Sequence, residues 1–217
     1  MPERARPAGI FVLAGTNGAG KSSIGGEALR QAGVEFFNPD VVAQRIRALQ
    51  PRASQEHVNS LAWHAGRRLL EQAIAGRRSF AFETTLGGTT MTELLQRAAA
   101  AGLEVRIWYV GLATVALHLA RVRARVARGG HDIAAADIRR RFDQSRLNLI
   151  RLLPKLFELL IYDNSAEADP AAGLAPRPVL LLHWRKGRIV APRDLRATPD
   201  WAKPMVAAAT KLARRTR

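Results

Sequence analysis

Gly15-Thr-Asn-Gly-Ala-Gly-Lys-Ser22 fits the pattern G-x-x-x-x-G-K-[ST] directly after the apolar run Ile10 to Ala14. A loop of this kind between a strand and a helix is a Walker A phosphate loop. Its glycines let the backbone wrap closely enough for N–H groups to point at a polyphosphate, and the helix that follows adds its N-terminal partial positive charge. The candidate nucleotide contacts are Gly15, Thr16, Asn17, Gly18, Ala19, Gly20, Lys21, Ser22 and Ser23. Lys21 is placed to reach the β- and γ-phosphates of ATP, and the Ser22 hydroxyl to bind Mg²⁺. A chance glycine-rich turn would have to match four specified positions in that same setting.

Strand and helix signals alternate along the rest of the chain, which argues for an α/β fold with a parallel sheet covered on both faces. Strands are expected at 10–14, 34–37, 79–83, 104–110 and 158–163, and helices are expected to begin near Gly20, Asp40, Ser54, Thr89, Thr114 and Ala134. Within 54–75, Val58, Leu61, Ala62, Ala65 and Leu69 recur at helical spacing and are expected to face the core. Pro178 to His183 and Gly187 to Ala191 read as a hairpin around Lys186-Gly187, followed by a basic helix from about Asp200 and placed to cover a sheet edge. The expectation is a single domain over 1–217, with a core at about 9–165 and a C-terminal extension at about 170–217.

With 47% hydrophobic residues in 217, the chain can bury a sizeable core without disulfides, and it has no cysteine. Glu3, Arg4 and Arg6 precede no apolar signal core, and no apolar run approaches the roughly 18 residues of a membrane span. A cytoplasmic protein that does not enter a membrane is expected. The 34 basic against 18 acidic residues give +16, a balance suited to nucleic acid, anionic membrane or phosphorylated substrates. The arginines are spread from Arg4 to Arg217, with no helix-turn-helix, zinc-finger or aromatic-rich strand signal. A solvated surface of biased composition accounts for the charge as well as a binding surface does.

Four polar features fall at the carboxyl ends of expected strands: the phosphate loop, Asn38-Pro39-Asp40, Glu83-Thr84-Thr85-Leu86 and Asp163-Asn164-Ser165. In open α/β sheets that edge is where ligands bind. Asp40 reads either as a helix cap or as a site carboxylate. Glu83 follows the apolar Ser79-Phe80-Ala81-Phe82, which delivers it to the cleft. Asp163 and Asn164 fit turn formation and nucleotide contact equally.

A second block runs from Arg121 to Asn148. On a helix, Arg121, Arg125 and Arg128 share one face, while Val115, Leu119, Val122 and Val126 occupy another. After Gly129-Gly130-His131-Asp132, a further helix turns Ile138, Phe142 and Leu149 inward and aligns Arg141, Ser145 and Asn148. Two arginine-bearing helices joined by a glycine pair suit a lid over a γ-phosphoryl group, whose spreading charge arginine forks stabilise. His131 lacks a partner at metal-ligand spacing and reads as a loop or helix-start residue.

This ordered set resembles the zeta toxin family of small P-loop kinases, in its chromosomal single-domain form. The resemblance is carried by Gly15 to Ser22, Asn38-Pro39-Asp40, Glu83 to Leu86, Arg121-Val-x-x-Arg125-Val, Gly129-Gly130-His131, Arg141, Ser145, Asn148-Leu149 and Asp163 to Ser165, over roughly 9–165. It implies a P-loop NTPase fold of the nucleoside-kinase type that transfers the γ-phosphate of ATP to a hydroxyl, such as the sugar 3′-hydroxyl of UDP-N-acetylglucosamine, and it makes a toxin with an antitoxin partner one expectation. In that mapping Asp40 matches the general base, and Glu83, with Thr84 and Thr85, the acceptor-binding segment. Lys21 and Ser22 hold ATP and Mg²⁺, Asn164 joins the nucleotide site, and Arg125 and Arg141 match the lid arginines, with Arg121 and Arg128 competing for the role. No apolar run ends in a clear Walker B aspartate, which leaves the metal to Ser22, phosphates and waters, with Asp40 or Glu83 as further oxygen ligands. A nucleic-acid kinase or RNA-associated ATPase, and a regulatory module that binds nucleotide without transfer, remain alternatives.

Overall fold

A computed structural model describes residues 8–21, 36–166 and 178–215. In chain order the elements are β1 (Gly9–Ala14), β2 (Phe36–Phe37), α1 (Pro39–Leu49), α2 (Gln55–Ala75), β3 (Phe80–Thr84), α3 (Thr89–Ala100), β4 (Glu104–Gly111), α4 (Val115–Val126), α5 (Ala135–Leu152), a 3-10 turn (Leu153–Lys155), β5 (Glu158–Asp163), β6 (Val179–Arg185), β7 (Arg188–Ala191) and α6 (Lys203–Arg215). The helix expected from Gly20 falls mostly on 22–35, outside the described residues, as do Ser22 and Ser23 and the first half of the strand expected at 34–37.

Seven strands form one sheet in the order β2-β3-β1-β4-β5-β6-β7. β1 lies between β3 and β4, parallel to both, and β2 and β5 extend the parallel run on either side. The sheet is therefore mostly parallel rather than wholly so: β6 and β7 add antiparallel to the β5 edge. The reversal between β6 and β7 has a local cause, since Lys186 and Gly187 both have positive φ, 47° and 81°, the two-residue turn that folds a right-twisted hairpin back on itself. The C-terminal hairpin covers an edge by pairing with it.

On one face, Val12, Phe80, Phe82, Ile107, Leu159 and Ile161 pack with Leu94, Leu95 and Ala98 of α3 and Leu149 and Leu152 of α5. Trp184, Trp201 and Met205 of the C-terminal segment belong to the same cluster. The inward face expected for the 54–75 helix needs correction. Val58 and Ala62 are buried, but Leu61 is exposed, Ala65 and Leu69 are half-buried, and burial continues through Gly66, Leu70, Ala73 and Ile74. The first half of α2 packs on α1 through Val58, Ala62 and Ala43, and only its second half reaches the sheet core, so the buried line turns around the helix.

Candidate active site

The phosphate loop leaves β1 at the sheet's centre. Gly20 has φ +82°, and a Cβ there would stand 2.4 Å from Asn164 Nδ2, so the loop can lie against the end of β5 only with glycine at this position. Asn164 is buried and donates from Nδ2 to the Ala19 carbonyl at 2.9 Å, while Asp163 Oδ1 accepts from Ser165 N at 2.8 Å. Asp163 thus builds a turn and Asn164 braces the loop from behind. Lys21 is buried; its Nζ donates to the Gly15 carbonyl at 2.8 Å and lies 3.5 Å from Glu83 Oε1.

Asn38-Pro39-Asp40 divides its work. Asn38 is the cap of α1, its Oδ1 accepting from Asp40 N at 2.8 Å and Val41 N at 3.3 Å, with Pro39 in the first helical turn. The same side chain donates from Nδ2 to Glu83 Oε2 at 3.1 Å, tying the end of β2 to the end of β3. Because Asn38 does the capping, the Asp40 carboxylate is turned elsewhere: Arg125 NH1 lies 3.7 Å from its Oδ2 and His131 Nε2 lies 3.8 Å from its Oδ1.

α5 touches both halves of the site from one face. Arg141 NH1 donates to Asn17 Oδ1 at 2.9 Å, and its NH2 lies 3.5 Å from Asp137 Oδ2. One turn on, the Ser145 and Tyr109 hydroxyls are 2.6 Å apart, and Ser145 reaches Thr16 Oγ1 at 3.4 Å. Burial pushes the Tyr109 phenol up to about 12, with the Ser145 hydrogen bond opposing it, so it stays protonated. A further turn along, Asn148 Nδ2 donates to the carbonyls of Leu86 and Gly88, at 2.9 and 3.1 Å, holding the loop after β3. Thr84 Oγ1 accepts from Leu86 N and Thr85 Oγ1 from Gly87 N within that loop.

The three arginines expected to share one face, of which Arg128 lies past the end of α4, diverge instead of acting together. Arg121 NH2 donates to the Ala166 carbonyl, Arg125 faces Asp40 and Arg128 is exposed. The residue of α4 that grips the phosphate loop is His118, buried, with Nδ1 2.8 Å from the Asn17 carbonyl. A carbonyl only accepts, so Nδ1 carries the proton. Desolvation lowers the His118 pKa to about 4, which keeps the ring neutral at pH 7.

Of these groups, Asn17, Asp40, Glu83, Thr84, Thr85, His131 and Arg141 line one cavity of about 610 Å³. The structure thus brings together Asp40, Glu83, Thr84, Thr85 and Arg141, while Arg125 is not among the lining residues. The sequence reading missed Glu56, Asn59 and Trp63, which line the same cavity from α2. Their i, i+3, i+7 spacing puts them on one stripe of the helix, and an exposed tryptophan on such a polar stripe was the available signal. Among the described residues no group of three or more His, Cys, Asp or Glu could hold a metal ion. No helix among them is long and apolar enough to cross a membrane.

Comparison with known proteins gives the same frame. The zeta toxin family model matches residues 1–153. An uncharacterized protein of Haemophilus influenzae is 33% identical over 132 residues, covering 59% of this chain and 88% of that protein. The structure of AvrRxo1-ORF1:-ORF2 with ATP superposes with a TM-score of 0.66 at 16% identity, over 94% of this chain. This chain spans 64% of that one, a little under two thirds of its length. The PezAT chromosomal toxin-antitoxin system of Streptococcus pneumoniae gives a TM-score of 0.55 at 14% identity, over 97% of this chain and 86% of that one. At such identities the likeness is one of fold alone.

Proposed function

Because the chain belongs to the zeta toxin family, we propose that it is an ATP-dependent kinase that moves the γ-phosphoryl group of ATP to a hydroxyl of a small molecule. The observation that carries this reading is the convergence of Lys21 beside Glu83, Asp40 and Arg141 around one cavity. A phosphate loop alone would serve any nucleotide-binding protein, whereas a second wall of carboxylates and threonines 84 and 85 serves an acceptor.

The residues present fit a polyphosphate. Lys21 donates to a carbonyl of its own loop, a contact a phosphate oxygen can replace, and Gly20 lets the loop keep its positive φ against Asn164. Mg²⁺ would be held by Ser22 with phosphates and water, and it would supply charge neutralisation at the β- and γ-oxygens.

On this reading Glu83, fixed by Asn38, orients the acceptor, and Asp40 takes the proton of the attacking hydroxyl as its oxygen bonds to the γ-phosphorus and ADP leaves. Arg141 and Lys21 stabilise the charge on the transferring group. Glu56, Asn59 and Trp63 form the far wall that selects the acceptor. The nucleotide sugar UDP-N-acetylglucosamine is the first acceptor to try. The chain's role as a toxin neutralised by an antitoxin belongs to the same reading, supported by the toxin-antitoxin system among its structural likenesses.

The test is transfer of label from γ-labelled ATP in the presence of Mg²⁺ to UDP-N-acetylglucosamine, to a small-metabolite extract and to a polynucleotide, in separate arms. A labelled small molecule is the expected product. Label on the polynucleotide alone would favour a nucleic-acid kinase, and ATP binding with no labelled product a regulatory module.

A further inference from the structure

The loop between α4 and α5 closes on Asp40. Arg125 NH2 donates to the His131 backbone oxygen at 3.3 Å, while Arg125 NH1 and His131 Nε2 approach opposite oxygens of the Asp40 carboxylate, at 3.7 and 3.8 Å. Gly130 makes the closure possible. Its N–H donates to the Arg125 carbonyl at 3.0 Å, and a Cβ at this position would stand 2.7 Å from Arg125 Cγ. Any other residue would lift the loop off the arginine and carry the imidazole away from the carboxylate.

We propose that His131 is a positioning residue for Asp40, its ring N–H and the Arg125 guanidinium together fixing the plane of the carboxylate that takes the acceptor's proton. The inference rests on the reading of Asp40 as the base. Its physical ground is the freedom Asp40 would otherwise have. The side chain is 43% exposed on the first turn of α1, and the terminal torsion of an aspartate is broad. A base that samples many orientations spends little time within reach of one hydroxyl. Approaches to both oxygens, from a guanidinium on α4 and an imidazole on the loop after it, narrow that freedom. At 3.8 Å the imidazole Nε2 stands just outside hydrogen-bond range, and a shift of about 1 Å closes the gap. The other charged groups lining the cavity are Asp132 beside His131, Asp137 and Arg141 on α5, Glu83 at the end of β3 and Glu56 on α2. Neither Glu83 nor Arg141 needs His131 for its place, since Asn38 and Asn17 hold them.

The full-length chain is tested in single turnover with saturating γ-labelled ATP, Mg²⁺ and a dilution series of a small-metabolite extract, comparing wild type with His131→Ala, His131→Gln, Asp40→Asn and Asp40→Asn/His131→Ala. His131→Ala is expected to lower the saturated transfer rate about tenfold or more while ATP affinity, the half-saturating dilution and the unfolding temperature stay put. His131→Gln keeps an N–H donor and is expected to stay within about threefold of wild type, and in the Asp40→Asn background the alanine should add nothing to the residual labelled rate. Wild-type transfer by His131→Ala overturns the proposal. So does an equal loss in the glutamine variant, a loss confined to the half-saturating dilution, or the same further loss without the Asp40 carboxylate. If wild type binds ATP but labels no product, the kinase reading falls and this inference falls with it.

Discussion

The Lys21 ammonium lies 3.5 Å from Glu83 Oε1, joining the phosphate loop after β1 to the end of β3 through a buried lysine and a largely covered glutamate. The neighbouring strands β1 and β3 pair Leu13 with Glu83 and Ala14 with Thr84, so the sheet's register sets this distance. Lys21→Ala is expected to cut transfer by about 10² or more, because it removes a cation aimed at charge that develops on the γ-phosphoryl group. Rapid-quench measurement of labelled product checks this, and wild-type turnover in the variant would contradict it.

Arg141 and Arg125 are expected to behave differently from Lys21. Alanine at either position should slow transfer more than it weakens ATP binding, Arg141 through the transferring group and Arg125 through the Asp40 carboxylate it faces. Lysine should restore Arg141 only in part, since the guanidinium spans Asn17 Oδ1 and Asp137 Oδ2 with separate nitrogens. Comparing ATP affinity by calorimetry with the single-turnover rate separates the two effects; equal losses in both would mark ground-state anchors.

The carboxylates Asp40 and Glu83 are expected to divide binding from chemistry. Asp40→Asn keeps shape but loses basicity, so saturated transfer should fall while ATP binding and fold persist. Glu83→Gln should chiefly raise the acceptor concentration needed for half-maximal rate. A live Asp40→Asn beside a dead Glu83→Gln would reverse the assignments.

Stability should depend on acid through His118. Its pKa is near 4 in the folded chain against 6.5 for the free side chain, so between these values the unfolded chain binds the extra proton. The stabilisation is complete above about pH 6.5 and is lost as pH falls toward 4, amounting to roughly 3 kcal/mol at about 1.4 kcal/mol per unit. Urea unfolding of wild type and His118→Gln at pH 7.5 and 4.5 is the check: the loss on acidification should be smaller in the glutamine variant, and equal losses would contradict it.

The alternation of elements and the loop after β1 were legible because they obey short-range rules. Glycines at fixed offsets after an apolar strand and alternating strands and helices each have a local cause, whereas the helix cap sought at Asp40 is Asn38. The inner face of α2 was not legible, because Val58 and Ala62 face α1 whereas Leu70 and Ile74 face the sheet, and one helical period cannot report two partners. The same limit hid Trp63, whose cavity exists only once α2, β3 and the loop after α4 meet. His118 sat unnoticed among apolar residues, since its partner is a backbone carbonyl 101 positions away. His131 lies in the loop its place after Gly129-Gly130 implies, but its approach to Asp40 is set by how α4 packs, which neighbouring letters do not encode.

The most direct measurement is mass spectrometry of a small-metabolite extract incubated with ATP, Mg²⁺ and the full chain, run beside Lys21→Ala and Asp40→Asn. The expected result is one species that gains a single phosphoryl group with wild type, with matching loss of its unphosphorylated form, and does not form with either variant. An extract left unchanged by a wild-type protein that binds ATP, or a product formed equally by the Asp40→Asn chain, would contradict phosphoryl transfer by this site.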